Sequence, residues 1–481
     1  MTGRGFSYII VELHIYMRNQ RFRKGKQMEN IEQKLPENKM GTQPVGRLLA
    51  GMAIPMMISM LVQAFYNVVD SIFVARISEN ALTAVSLAFP LQNLMIAVGG
   101  GTAVGINALL SRSLGEKRQE MVDRSANTGI FLSVISALVF ALIGAFFSRP
   151  FFASQTDVAE IVEYGVDYAS VCLIFSIGIF SQFCFERLLQ STGKTTLAMI
   201  TQLIGAVINI ILDPILIFGL LGFPVLGVKG AAIATVAGQI IAAIVAIILN
   251  VRVNREINLS LRMIKWDTEV VRRIYKVGFP SILMQSVGSV MNFFLNRILI
   301  SFTTTATAVF GAYFKLQSFI FMPVFGLNSG MVPIIAYNYG ARRPDRVKKT
   351  IKLSLFTALS VMACGFILFE AVPEFLLGFF NASEHMLEIG IPALRIIAVN
   401  FLFAGFCIIS ISVFQAIGNP IHAFIISVCR QLVVLIPSAW LLSKTGVLNL
   451  VWLSFPISEL VSVLMCAFFL IKTLKKVHEL E

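Results

Sequence analysis

Charged side chains are scarce in this sequence: Asp, Glu, Lys and Arg make up 14% of its 481 residues, against about 25% in ordinary soluble domains. Hydrophobic residues reach 57%, above the usual range of roughly 45–50%. A chain of this composition has too little polar surface to enclose a water-soluble core, so a soluble globular enzyme is excluded. Its length allows about a dozen membrane crossings of ~20 residues each and leaves no room for a large domain outside the bilayer.

Residues that bind metals or carry redox chemistry are few and scattered. The four histidines (His14, His385, His422 and His478) show no ligand spacing. All six cysteines fall inside apolar stretches, where free packed thiols are far commoner than disulfides. We therefore expect no cofactor, no resident metal and no redox function. The spans also contain no Ser/His or metal-ligand arrangement typical of a membrane-embedded enzyme.

Twelve apolar stretches follow one another along the chain, each long enough to cross a bilayer as a helix. They cover residues 48–75, 82–110, 126–148, 161–185, 196–221, 229–251, 276–302, 308–336, 351–372, 389–415, 420–443 and 447–471. None shows the period-two alternation of a barrel strand, and a helix satisfies every backbone polar group within one segment. The sequence therefore predicts an all-α polytopic membrane protein with twelve transmembrane helices.

Basic residues are divided unevenly between the two sides of this predicted bundle. Of the 39 Lys and Arg residues, only Arg76, Arg149, Lys229 and Lys444 fall in connections on the side opposite the N-terminus. The positive-inside rule then places both termini in the cytoplasm and predicts a multi-pass protein of the inner (cytoplasmic) cell membrane. Much of the net charge of +13 is therefore a topology signal. Nucleic-acid binding, which needs a solvated basic face, is not indicated.

The two halves of the chain match each other at an offset of 225 residues. The matched pairs are Pro55/Pro280, Asn67/Asn292, Gln92/Gln317, Gly101/Gly326, Gly105/Gly330, Gly115/Gly340, Arg118/Arg343, Val122/Val347, Gln190/Gln415 and Gly193/Gly418. Because each half has an even number of helices, we expect two parallel six-helix lobes related by a pseudo-two-fold axis along the membrane normal. The lobes are predicted at 48–251 and 276–481, joined by a cytoplasmic linker, 252–275. A basic N-terminal cytoplasmic extension, 1–47, is expected to be disordered or to reflect a start codon assigned too early, with Met28 and Met40 as alternatives.

Two acidic residues inside predicted spans belong to the first half alone. Asp70, in the first span, and Asp213, in the fifth, both lie in the outer half of the bilayer, and the positions 225 residues on are Leu295 and Ser438. A charge at membrane depth costs a few kcal/mol, so such residues predict function. Paired carboxylates in a low dielectric can bind and release H⁺, and with added neutral oxygens they can coordinate Na⁺.

Neutral polar residues extend this predicted cation site. Asn209 lies one helical turn before Asp213 on the same face, Pro214 frees a backbone carbonyl, and Thr235 is expected at matching depth. The predicted H⁺ or Na⁺ site therefore comprises Asp70, Asn209, Asp213 and Thr235. Supporting polar residues of the first half are Asn67, Gln92 and Gln190. Candidate cavity residues of the second half are Gln285, Asn292, Gln317, Arg297, Lys315 and Arg430, whereas Asp167 and Glu459 are interpreted as structural.

Several of these motifs together resemble the multidrug and toxic compound extrusion (MATE) family, in its prokaryotic DinF-like branch, over residues 45–475. They are Asn67-x-x-Asp70-x-x-Phe73-Val74-Ala75, Asn209-x-x-x-Asp213-Pro214, and the paired turns at Gly193/Gly418 and Gly115/Gly340. The resemblance implies a two-lobe antiporter that exports organic, often cationic or amphipathic, compounds in exchange for H⁺ or Na⁺ by alternating access. It also implies that Asp70, Asn209, Asp213 and Thr235 form the family's N-lobe cation site. Some members carry acids in helices seven and ten, where this chain has Gln285, Asn292 and Asn400 instead.

Two alternatives stay open at this point. A lipid-linked oligosaccharide flippase of the same wider superfamily would use basic cavity residues for pyrophosphate, and would make Arg297, Lys315 and Arg430 central. A membrane-embedded enzyme has the weakest support. The expected partners are small-molecule substrates and the lipid bilayer, with the protein a monomer.

Overall fold

The computed structural model describes residues 37–380 and 382–479, which form helices and connecting turns without a strand. Within this described part, twelve long helices follow one another: α1 (Val45–Ala75), α2 (Glu79–Gly115), α3 (Gln119–Ala153), α4 (Ala159–Ile174 and Ile177–Ser191), α5 (Thr195–Phe218), α6 (Gly227–Val253), α7 (Thr268–Ile300), α8 (Thr304–Gly340), α9 (Pro344–Ala371), α10 (Glu384–Ile417), α11 (Pro420–Ser443) and α12 (Leu448–His478). The predicted all-α polytopic fold is confirmed.

The helices differ in detail from the apolar stretches that predict them. Ten of those described are long and apolar enough to cross a bilayer, and α4, bent by 44° at its break, makes an eleventh. α7 has 33 residues, which is ample length, but its middle contains Gln285, Ser286, Ser289 and Asn292. α11 contains a π-helical stretch, Cys429–Leu435. Helical structure also continues into polar sequence, so the segment between α6 and α7 is residues 254–267, within the predicted linker 252–275.

The 225-residue repeat is visible in the backbone. Gly193 and Gly418, which end α4 and α10, have φ of +86° and +87°, a left-handed conformation that suits glycine. Lys117 and Arg342, at matched positions in the turns after α2 and α8, also have positive φ, +58° and +54°. Because matched residues share an uncommon conformation, the two halves are copies of one architecture.

The halves meet through two pseudo-symmetric contacts, α2 against α7 and α8 against α1. A Cβ added at Gly115 would lie 2.0 Å from the Tyr337 carbonyl oxygen, and one added at Gly340 would lie 2.3 Å from the Arg112 carbonyl oxygen. The repeated glycines Gly101, Gly105, Gly326 and Gly330 are equally tight against the facing helix. We call the side of the bundle that carries residue 37 and the linker the linker side. On that side, Gly115 and Gly340 have no side chain, so the backbones of the two halves come into direct contact.

The described part of the predicted N-terminal extension is ordered and lies across both halves on the linker side. Asn38 donates to the Thr192 carbonyl oxygen (3.1 Å) in the first half. The Met40 carbonyl oxygen accepts from Asn338 Nδ2 (3.0 Å) and Arg346 Nη2 (2.9 Å) in the second half. We call residues 37–43 the strap. Disorder is therefore a wrong prediction for these residues; residues 1–36 and the alternative start Met28 lie outside the described part.

The linker docks on the first half. Asp123 of α3 accepts from the backbone N–H of Asn258 (2.8 Å). At the end of the linker, Arg124 forms a two-bond ion pair with Asp267 (2.8 and 3.1 Å). Asp267 also caps α7 by accepting from the Val270 N–H. The hydrogen bond from Arg124 holds the pKa of Asp267 below its usual range, so the pair stays charged at physiological pH.

Candidate functional site

The two acids singled out in the first half lie together. Asp70, in the outer part of α1, and Asp213, in α5, have their carboxyls within hydrogen-bonding distance of each other. Asp213 is completely buried (0% exposed), whereas Asp70 is half-buried. Helices α1 and α5 pack along their length, which brings residues far apart in sequence to one level. The Asp213 side chain is therefore enclosed by protein, whereas the Asp70 side chain is partly exposed at the surface.

Asn209 links this pair to α6. With its amide oriented so that both groups are satisfied, Asn209 Nδ2 donates to Asp213 Oδ2 (3.3 Å), and Oδ1 accepts from the hydroxyl and the backbone N–H of Thr235 (3.2 Å each). The two helices can approach because a Cβ at Gly238 would lie 2.7 Å from the Gly205 carbonyl oxygen. Asp70, Asn209, Asp213 and Thr235 thus form one continuous polar cluster.

The cluster holds more acceptor oxygens than donors. Asp70 Oδ1 and Asp213 Oδ1 are buried without a hydrogen-bond partner in the described part of the chain. Pro214 lacks an N–H, so the Ile210 carbonyl loses the hydrogen bond that residue 214 would otherwise donate. A group of carboxylate, amide and hydroxyl oxygens with unmet acceptors can take a proton or a hard monovalent cation.

Two tyrosines lie near Asp70, and sequence reasoning missed them. Tyr66 of α1 and Tyr168 of α4 lie within electrostatic range of Asp70. Gln92, a predicted supporting residue, donates to the Tyr168 hydroxyl (3.1 Å) and so belongs to this surrounding shell. Asn67, in contrast, has an exposed side chain one turn before Asp70. Tyr66 lies four residues before Asp70, so helical spacing is the signal that could have found it.

Gln190 is not brought to the cluster. It lies at the linker-side end of α4, where its Oε1 accepts from Arg187 Nη1 (2.7 Å). Asp167 is half-exposed and faces Lys229 at 3.7 Å, which agrees with its interpretation as a structural residue.

A sequence model of the MatE family matches this chain twice, over residues 55–215 and 280–441. The two matches begin 225 residues apart, at the offset of the internal repeat. The chain belongs to the MatE family. As a MatE protein it is a membrane transporter and not an enzyme.

Curated relatives and solved structures agree with this assignment. The chain is 26% identical to an FAD transporter of Shewanella oneidensis over 88% of its own length and 94% of the relative's. It is 27% identical to the multidrug export protein MepA of Staphylococcus haemolyticus, over 86% and 90% of the two chains. A solved outward-facing structure of a multidrug resistance MATE family transporter superposes with a TM-score of 0.87 at 25% identity, covering 93% of this chain and all of that one.

The polar candidates in the second lobe of this MatE protein occupy separate surroundings. Gln285 lies against Gly100 of α2, where the lobes meet. Asn292 and Asn400 each have a buried side-chain oxygen without a partner among the described residues. Gln317 and Lys315 lie on α8, half-buried and exposed respectively.

The three basic candidates for a pyrophosphate cavity are likewise dispersed. Arg430, in the π-helical stretch of α11, bonds the fully buried Glu459 of α12 at 3.3 Å. Arg297 lies over the Phe293 ring, 5.9 Å from its centroid. Lys315 is exposed on α8 and takes part in neither of these two interactions.

Sequence reasoning on this MatE protein also missed a buried acid. Glu186 of α4 is 2% exposed. It lies just beyond the predicted stretch 161–185 and beside Arg187, so it looks like part of a charged connection. The spacing of Gln182, Glu186 and Gln190 along one helical face is the signal that could have revealed it.

Proposed function

We propose that this MatE protein is a proton-coupled antiporter that exports organic, cationic or amphipathic compounds. The observation that carries the proposal is the contact between the Asp70 and Asp213 carboxyls. Two ionised carboxylates repel each other at hydrogen-bonding distance, so this geometry favours a pair that shares one proton. A pair that holds one proton can release it when its surroundings change, which is the chemistry that antiport needs.

The substrate class follows from the relatives. The curated MepA proteins are multidrug exporters by name, and a cavity rich in soft and aromatic side chains suits amphipathic cations. Of the 40 Phe and 19 Met in the chain, most belong to the core or face the lipid, and a subset would line this surface. Small molecules that partition into the bilayer are therefore the proposed cargo.

Alternating access in this proposal separates the lobes along the linker side. Opening that side means breaking the Gly115–Tyr337 and Gly340–Arg112 backbone contacts together. By the positive-inside rule the linker side, with both termini, faces the cytoplasm. The protein acts as a monomer in the cell membrane, because each chain contains both lobes.

Transport in reconstituted liposomes tests the proposal. The purified protein is exposed to a dye cation such as ethidium under an imposed pH gradient or an imposed Na⁺ gradient. We expect dye movement against its gradient to follow the pH gradient and to ignore Na⁺. Movement driven by Na⁺ alone, or by neither gradient, would overturn proton coupling.

A further inference from the structure

Glu186 is a buried carboxylate in the first lobe that the Asp70–Asp213 cluster does not include. Its Oε1 accepts from Gln182 Nε2 (2.9 Å) and Thr201 Oγ1 (3.1 Å), and its Oε2 accepts from Gln202 Nε2 (2.7 Å). All three donors are neutral. The charged neighbour, Arg187, directs a guanidinium nitrogen to Gln190 instead.

We call the contact between α1 and α5, which carries the aspartate pair, the seam. Glu186 of α4 borders this seam nearer the linker side. Ser59 of α1 bonds Gln202 of α5, which in turn bonds Glu186. Ser59 is 11 residues before Asp70, and Gln202 is 11 residues before Asp213. Eleven residues are close to three full helical turns, so each pair shares a face and is separated by about 16 Å along the axis.

Polar residues line this seam between its two ends. On α1, positions 59, 63, 66 and 70 are Ser, Gln, Tyr and Asp, at the i, i+4, i+7 and i+11 spacing of one helix face. On α5, Gln202, Asn209 and Asp213 follow the same spacing with an alanine at position 206. These residues form a polar stripe, interrupted on α5 at Ala206, that runs along α1 and α5 from the level of Glu186 to the aspartate pair.

The seam also belongs to one lobe only. Adding 225 to Glu186 gives Ile411, and adding it to Ser59 and Gln202 gives Met284 and Ser427. The fold of the second lobe is thus built without this network, just as it is built without the aspartate pair. A packing requirement of the shared architecture would have appeared in both halves.

A buried carboxylate whose hydrogen-bond donors are all neutral, with Arg187 beside it directed to Gln190, is costly to keep ionised, and protonation relieves that cost. Gln202 and Thr201 can each donate to an ionised Glu186 or accept from a protonated one, because amides and hydroxyls carry both functions. The site can therefore hold Glu186 in either state with its hydrogen bonds satisfied.

We propose that Glu186 is a second proton-binding site, through which the proton leaves the first lobe toward the linker side. This proposal rests on the proton-coupled antiport proposed above. One proton moves: it leaves the Asp70–Asp213 pair, crosses the seam through water and polar side chains, binds the Glu186 carboxylate, and passes to water on the linker side as the carboxylate reforms.

Glu186→Gln tests this role, because it keeps the shape and hydrogen bonds but cannot exchange a proton. In liposomes we expect it to retain substrate exchange at equal pH on both sides, while transport driven by a pH gradient falls at least tenfold. Asp167→Asn, on an exposed acid of the same helix, is the matched control and is expected to behave like wild type. A purely structural Glu186 would leave gradient-driven transport in Glu186→Gln unchanged, and that result would overturn the proposal.

The outcome is separable from that of the proposed function. If wild-type transport ignores the pH gradient, the proposal of proton coupling fails. If wild type is coupled to the gradient, Asp70→Asn has lost this coupling and Glu186→Gln has kept it, only the proposal for Glu186 fails. Glu186→Asp covers the case in which Glu186→Gln does not fold. It keeps a titratable carboxyl in altered surroundings, so the pH–rate profile is expected to shift; a profile that matches wild type would also overturn the proposal.

Discussion

The Asp213 carboxyl is fully buried, while the Asp70 carboxyl that it contacts is half-buried. In the proposed proton-coupled mechanism, we expect Asp70 to exchange the proton with its surroundings, because Asp213 is enclosed by protein. We predict that Asp70→Asn and Asp213→Asn each reduce pH-driven transport at least tenfold, because an amide cannot share an exchangeable proton. Measurement is by dye transport in liposomes at matched protein content.

The control for this pair is Asp167→Asn, which removes an exposed carboxylate from the surface contact with Lys229. A surface ion pair contributes about 0–1 kcal/mol, so folding and transport should both persist. Unchanged transport in both Asp70→Asn and Asp213→Asn would rule out the aspartate pair as the coupling site.

The glycine contacts between the lobes give a conformational prediction. Valine at Gly115 would place its Cβ 2.0 Å from the Tyr337 carbonyl oxygen, so Gly115→Val should force the linker side open. Spin labels at Glu120 and Asp345, exposed residues at matched positions of the two lobes, report the separation. We expect a shift to longer distances; Gly51→Val, at a glycine with open space around it, should leave the distance unchanged.

Sequence reasoning predicted the twelve helices from local hydropathy, the repeat from matching the chain to itself, and the four-residue cluster from helical spacing and depth in the bilayer. Hydropathy reports which segments cross the membrane, and helical spacing places Asn209 beside Asp213. Glu186 and the strap were missed because both look like polar connections in sequence. The strap is buried by packing between distant segments, such as Met40 with Asn338, whereas Glu186 is enclosed where α4 packs against the next helix, α5.

The Arg430–Glu459 ion pair gives a stability prediction. Glu459 is 1% exposed, and removing one partner of a buried pair typically costs about 3–5 kcal/mol because the other charge stays buried. Arg430→Met should therefore lower the unfolding temperature markedly. The double variant Arg430→Met/Glu459→Met should recover most of the loss; a double variant as unstable as the single one would contradict this account.

The Arg124–Asp267 pair gives a pH prediction. Because the pKa of Asp267 is lower in the folded protein than its unfolded value of about 3.9, its contribution to stability is complete above that value. The contribution is lost as pH falls through the folded pKa. Asp267→Asn should lose this acid dependence yet keep an acceptor for the α7 cap, whereas Asp267→Ala should also lose about 1 kcal/mol of capping. Thermal unfolding across acidic pH measures both effects.

Because the strap is hydrogen-bonded to both halves, we predict that it helps to hold the linker side closed. Arg346 donates to the Met40 and Gln43 carbonyl oxygens, and hydrogen bonds from a charged donor contribute about 1.5–3 kcal/mol each. Arg346→Met should therefore raise the population of the open linker side about tenfold or more, since 1.4 kcal/mol is a factor of ten. The Glu120 and Asp345 labels measure it, with Lys349→Met, an exposed cation on the same helix, as control. An unchanged distance distribution in Arg346→Met would show that the glycine contacts close this side without the strap.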